Sequence, residues 1–82
     1  MKILSIGSAG KMGRAVVSYL AKDPDVAQVG LLDNYEAGVK ALLSADTSGK
    51  LCGHPINVDD LDKVKDVMKE YNVVVVTLPD RR

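Results

Sequence analysis

Phenylalanine and tryptophan are absent from the 82 residues, and tyrosine occurs three times. A core built from this chain is therefore aliphatic, made of Val, Leu, Ile and Ala, as in a buried parallel sheet. An excess of either charge is also missing: 11 Lys and Arg balance 11 Asp and Glu, so nothing recommends nucleic acid or an anionic membrane as a partner. Cysteine appears once, at Cys52, which excludes an internal disulfide framework and is the usage expected of a reducing cytoplasm. The single histidine, His54, has only Cys52 at a ligand spacing, too little for a metal site. No apolar run approaches membrane-spanning length, and the first one is too short for a signal peptide. What remains, 46% hydrophobic and 27% charged, is the composition of one small folded domain.

The chain is organised around Lys2–Arg14, KILSIGSAGKMGR. The apolar run Ile3–Ile6 reads as a buried strand. Gly7, Gly10 and Gly13 follow at intervals of three. From Met12 the apolar period changes to that of a helix, with Met12, Ala15, Val16, Tyr19 and Leu20 predicted on its buried face. Strand, glycine turn and helix start form the context of a dinucleotide-binding loop. The first amides of a helix lack intrahelical partners and carry partial positive charge, so a pyrophosphate is stabilised there. In this reading Gly7 permits the turn, Gly10 admits the phosphate, and Gly13 lets the helix approach the strand. The spacing is G-x-x-G-x-x-G, one residue longer before the second glycine than the usual fingerprint. A Walker-type loop is excluded, because Ser5 stands in place of its first glycine and Met12 in place of its Ser or Thr.

A second apolar run, Val29–Leu32, ends in Asp33, 20 residues after Gly13. Ala27–Asp33 is predicted as the second strand, with the carboxylate where such a unit binds ribose. The first helix ends near Lys22, before Pro24. Tyr35, Val39, Leu42 and Leu43 mark a second helix, weakened by Gly38. Ala45–Gly53 reads as loop, since Pro55 argues against a strand there, and Ile56–Val58 as a brief third strand. Asp59 or Asp60 caps a third helix with Leu61, Val64, Met68 and Tyr71 on its buried face. Val73–Leu78 is the clearest strand, and Pro79 ends it. The predicted fold is α/β: a Rossmann-type parallel sheet, order 3-2-1-4, with three crossover helices. Two helices cover one face and the third covers the other thinly, leaving strand four at an open edge. The expected domain is residues 1–82, an N-terminal part of a longer chain.

The expected cofactor site follows from this topology. The amides of Ser8, Ala9, Gly10, Lys11, Met12 and Gly13 cradle the pyrophosphate, with the Ser8 hydroxyl as a further donor. Lys11 either reaches a phosphate or stays in solvent. Asp33 accepts from both ribose hydroxyls and repels a 2′-phosphate. Asn34 stands where a site for NADP often has arginine, so NAD is favoured over NADP. Val58 and Asp59 border the adenine, and Thr77, Leu78 and Pro79 the nicotinamide half. His54 reads as a loop histidine, and Cys52 lacks an activating base. No catalytic residue is identified.

The whole chain resembles the N-terminal Rossmann domain of the saccharopine dehydrogenase and lysine dehydrogenase family. The residues that carry this are MKILSIGSAGKMGRAV, DPDVAQVGLLD and VDDLDKVKDVMKEYNVVVVTLP. The resemblance implies the pyrophosphate on Gly7, Gly10, Gly13 and their neighbours, the ribose on Asp33, the adenine side at Val58 and Asp59, and the nicotinamide side at Leu78 and Pro79. It further implies an oxidoreductase that transfers hydride to or from an amino-acid substrate, in the cytoplasm that the cysteine usage suggests. By the same resemblance, the substrate-binding and oligomerising part is expected in a C-terminal domain beyond this segment. Lys11-Met12 departs from that family's small or branched apolar pair. GSAGKMGR is also similar to the loop of dihydrodipicolinate reductase, the alternative identification, although Val73–Pro79 fits that family less well. A third reading is a non-catalytic nucleotide-sensing module.

Overall fold

The structure, a computed structural model, describes residues 1–54 and 56–77. Its elements are β1 (Lys2–Ile6), α1 (Lys11–Lys22), β2 (Gln28–Leu32), α2 (Glu36–Ala45), β3 (Leu51–Gly53), α3 (Leu61–Met68) and β4 (Val73–Val76). The four strands form one parallel sheet in the order β3-β2-β1-β4, as the alternation of apolar runs and helical periods predicts. β1 is central, with Ile3 level with Val29 on one side and Val73 on the other. Strand alternation then divides the core. Ile3, Val29 and Leu31 pack with Val17 of α1 and with Val39 and Leu42 of α2. Leu4, Ile6 and Leu32 face Val64 and Val67 of α3.

The third strand is not where the apolar run placed it. β3 is Leu51–Gly53, inside the stretch read as loop. Main-chain pairing decides this: Val29 N–H donates to Lys50 O, and His54 N–H donates to Leu31 O, bracketing the strand against β2. Three residues are too few for a periodicity to register. Ile56 and Val58 satisfy their apolar character by packing with α3 on the second face, which needs no strand. That face is consequently better covered than one helix alone would cover it. The end of the predicted fourth strand, Leu78 and Pro79, lies outside the described residues, as does Pro55.

The buried faces of the helices also shift. In α1 the core side is Gly13 and Val17, with Val16, Leu20 and Ala21 half-buried, while Met12 and Tyr19 are 74% and 73% exposed. Gly13 sets this phase, because the helix must turn its one residue without a side chain toward the loop. In α3 Val64 and Val67 are buried and Leu61 is exposed, since Leu61 sits in the first turn just past the Asp60 cap. Asp60 is the capping residue, its Oδ1 accepting from Lys63 N–H at 3.5 Å. In α2 the apolar residues Val39 and Leu42 reach the core, whereas Tyr35 precedes the helix and is exposed.

Tyr71, just after α3, lies across β2. A Cβ on Gly30 would collide with its ring and hydroxyl. The hydroxyl shares a 2.6 Å hydrogen bond with His54 Nε2 and receives a longer one, 3.4 Å, from Gln28 Nε2. Burial, and after it negative charge on Cys52, pushes the Tyr71 phenol above its ordinary value of 10.0. The unfolded chain ionises first, so this contribution to stability is present below pH 10 and is lost as pH rises beyond it. Denaturation midpoints measured between pH 9 and pH 11, bounds chosen about one unit either side of an unperturbed phenol, should fall more steeply for wild type than for Tyr71→Phe. Parallel curves would show that Tyr71 does not carry this alkaline dependence.

Candidate functional site

The glycine loop joins the end of β1 to α1. Gly7 adopts φ 85°, a conformation other residues rarely take, and turns the chain sharply out of the strand. Its N–H donates to Leu32 O at 2.8 Å, and its carbonyl accepts from Gly10 N–H at 3.2 Å. Thr77, beyond β4, donates its hydroxyl to the carbonyls of Ile6 and Gly7 at 3.2 and 3.1 Å. The loop is thus pinned by both strands that flank β1. Gly13 lies so close beneath it that a Cβ would meet the carbonyl oxygen of Gly7 and the backbone of Ser8.

Gly10 is the N-cap of α1. No side chain caps this helix, and its first turn holds no acid. The amides of Lys11, Met12 and Gly13 are the free donors that a helix start leaves. The Ala9 and Gly10 amides, by contrast, are used inside the loop, by Asp33 and Gly7. Gly10 is exposed, and a Cβ there would touch only Gly7 O, at 3.6 Å, so the space above it is open. An uncapped helix start beneath a bare glycine fits a pyrophosphate. Lys11 and Met12 are exposed beside it. Ser8 is turned inward: its hydroxyl is buried without a partner rather than presented to the open side.

Asp33, at the end of β2, is tied to the loop. Its Oδ2 accepts from Ala9 N–H at 3.0 Å and its Oδ1 from Tyr35 N–H at 2.9 Å. One carboxylate therefore holds the glycine loop to the start of α2. Replacing it with asparagine would put an amide group opposite one of those N–H donors. Charge-assisted bonds of this kind are worth more than neutral ones, so Asp33→Asn should lower stability by about 2 kcal/mol. Urea denaturation checks this; an unchanged midpoint would mean that the carboxylate adds nothing over a neutral amide at this position.

Beside Asp33 a cleft of about 470 Å³ opens between α2 and the far end of β3, lined among others by Asn34, Val39, Lys40, His54 and Asn57. Asn34 Oδ1 accepts from Val58 N–H at 2.8 Å, which brings those two predicted residues together across the β2 end. Asp59 lies in the turn after them, its N–H bonded to Asn57 Oδ1. The loop, Asp33, Asn34 and Val58 are thus one continuous surface at the strand ends. Leu78 and Pro79 lie outside the described residues. Sequence reading missed His54 as lining of this cleft; its only signal was the misplaced third strand. Among the described residues no three His, Cys, Asp or Glu side chains gather into a metal site, and no helix is long and apolar enough to cross a membrane.

Residues 3–82 match the family model described as the saccharopine dehydrogenase NADP binding domain. No curated protein matches the chain. The match corrects the preference for NAD: the family's domain binds NADP. The preference rested on Asp33 as a free charge facing the ribose. In the structure both of its oxygens already accept from main-chain amides, and the adjoining cleft is lined by Glu36 as well as Lys40. Asp33 is therefore engaged within the chain rather than held free for the ribose hydroxyls.

Proposed function

The chain belongs to the saccharopine dehydrogenase NADP-binding domain family, and from that premise we propose that it serves hydride transfer between NADP and an amino-acid substrate. As a member it is a dinucleotide-binding domain of an oxidoreductase. The observation that carries the reading is the uncapped start of α1, set under the open face of Gly10 and continuous with the cleft beyond Asp33. In this proposal the amides of Lys11, Met12 and Gly13 hold the pyrophosphate, and the cleft between α2 and β3 takes the adenosine half. Asn34, Val58 and Asp59 border that half. Bound there, NADP supplies a two-electron hydride donor or acceptor. The chain's own residues bind and orient it. The substrate groups are supplied by a further domain of the intact protein.

The test is a fluorescence titration of the intact protein with NADPH, followed by NADPH oxidation in the presence of an amino acid and a 2-oxo acid. Saturable binding with substrate-dependent oxidation supports the reading. Absence of NADPH binding removes the dinucleotide role, and binding without turnover on any amino-acid pair removes the substrate class.

A further inference from the structure

Gly38 breaks the helical pattern of α2, where alanine would be the better helix former. The structure gives this glycine a contact. A Cβ at Gly38 would lie 2.7 Å from Ala9 Cβ and 2.7 Å from Cδ2 of the Tyr35 ring. Ala9 is the second of the two residues between Gly7 and Gly10, so α2 rests directly on the loop that closes over the start of α1. The same two segments are joined by Asp33, whose oxygens accept from Ala9 N–H and Tyr35 N–H. The main chain of Ala9 is thus held at a fixed separation from α2 by a carboxylate on one side and a bare helix position on the other.

We propose that Gly38 is a positioning residue for the dinucleotide: it sets how closely α2 docks on Ala9, and so where the glycine loop stands relative to the first amides of α1. This rests on the reading of that loop as the dinucleotide cradle. The physical argument is one of scale. A methyl group at position 38 demands a shift of the loop, of α2 or of both, because at 2.7 Å two carbons overlap. Tyr35 is 63% exposed and its ring can swing aside, but Ala9 is half-buried and bonded through its amide, so the loop takes the strain. Hydrogen bonds from main-chain donors to a phosphate weaken as distance and angle depart from their optimum, so a displacement of the loop against α1 is felt in affinity. The two sides of the site, the cleft along α2 and the cradle at α1, are in this way mechanically joined through one contact.

The experiment compares Gly38→Ala with the double variant Ala9→Gly/Gly38→Ala in the intact protein, using NADPH fluorescence and thermal denaturation. Gly38→Ala is expected to weaken NADPH binding by about tenfold or more. The double variant lacks the Ala9 methyl group that the new side chain would strike, and it should recover most of that loss. A helix defect without any role in positioning predicts a different pattern: Gly38→Ala would then melt at the same or a higher temperature and bind NADPH as wild type does. Unchanged affinity of Gly38→Ala overturns the proposal, and so does a double variant that binds no better than Gly38→Ala, including the case in which the single variant fails to fold. Failure of wild type itself to bind NADPH would instead remove the cradle reading on which the proposal stands.

Discussion

Gly13→Ala should be strongly destabilising. The added methyl would strike the carbonyl oxygen of Gly7 and lie 2.8 Å from Ser8 Cα and 2.9 Å from Ser8 C. All three are backbone atoms, and none can rotate away. The loop itself is held in place from the other side by Leu32 O and Thr77 Oγ1. Relief therefore requires α1 to lift from β1, which separates Val17 from Ile3, Val29 and Leu31. Overpacking of this kind costs about 3 kcal/mol. The gain in helix propensity from Gly to Ala, about 1 kcal/mol, runs the other way and leaves a net loss of about 2 kcal/mol. For a domain of this size that corresponds to a fall in Tm of about 12 °C. A thermal melt checks the result. A variant as stable as wild type would show that α1 does not sit against the loop.

Gly10→Val should do the reverse, sparing the fold and removing the ligand. Gly10 has φ −75° and ψ 170°, extended backbone that a branched residue adopts without strain. Its Cβ position meets only one atom, at an ordinary contact distance. The loss as an N-cap is about 1 kcal/mol at most. The isopropyl group, however, fills the space above the free amides of α1. NADPH affinity should fall by about a hundredfold, equivalent to about 2.7 kcal/mol. Calorimetric titration beside a thermal melt separates the two effects. Retained affinity in a folded Gly10→Val would place the pyrophosphate elsewhere. The pair Gly10 and Gly13 thus distinguishes two reasons for a glycine, three residues apart in the same loop.

Much of this was legible in the residues. The change of period from β1 to α1, the glycine triplet and the run Val73–Val76 are local patterns, and they led directly to a parallel sheet in the order 3-2-1-4. Gly7 could be assigned to the turn from spacing alone. Gly38 could be read only as a weakness of α2, because the atom it makes room for is far back in the chain, at Ala9. Asp33 was recognisable as an acid at a strand end. Its bonds to Ala9 and Tyr35 were not, and the NAD preference drawn from its charge was accordingly misplaced.

The sequence by itself determined the class of fold, the position of the glycine loop and the aliphatic nature of both core faces. These depend on the period of apolar residues and on conformations that only glycine adopts, which are properties of neighbouring residues in the chain. Tertiary structure alone decided that Leu51–Gly53, and not Ile56–Val58, is the third strand, because a three-residue strand exists only through its hydrogen bonds to β2. It decided the phase of α1, which turns on the room Gly13 leaves under the loop. It also decided that Tyr71 reaches across Gly30 to His54, and that one carboxylate joins the glycine loop to the start of α2. Each of these is a contact between residues distant in the chain, fixed by which surfaces the packed sheet brings within a few ångströms.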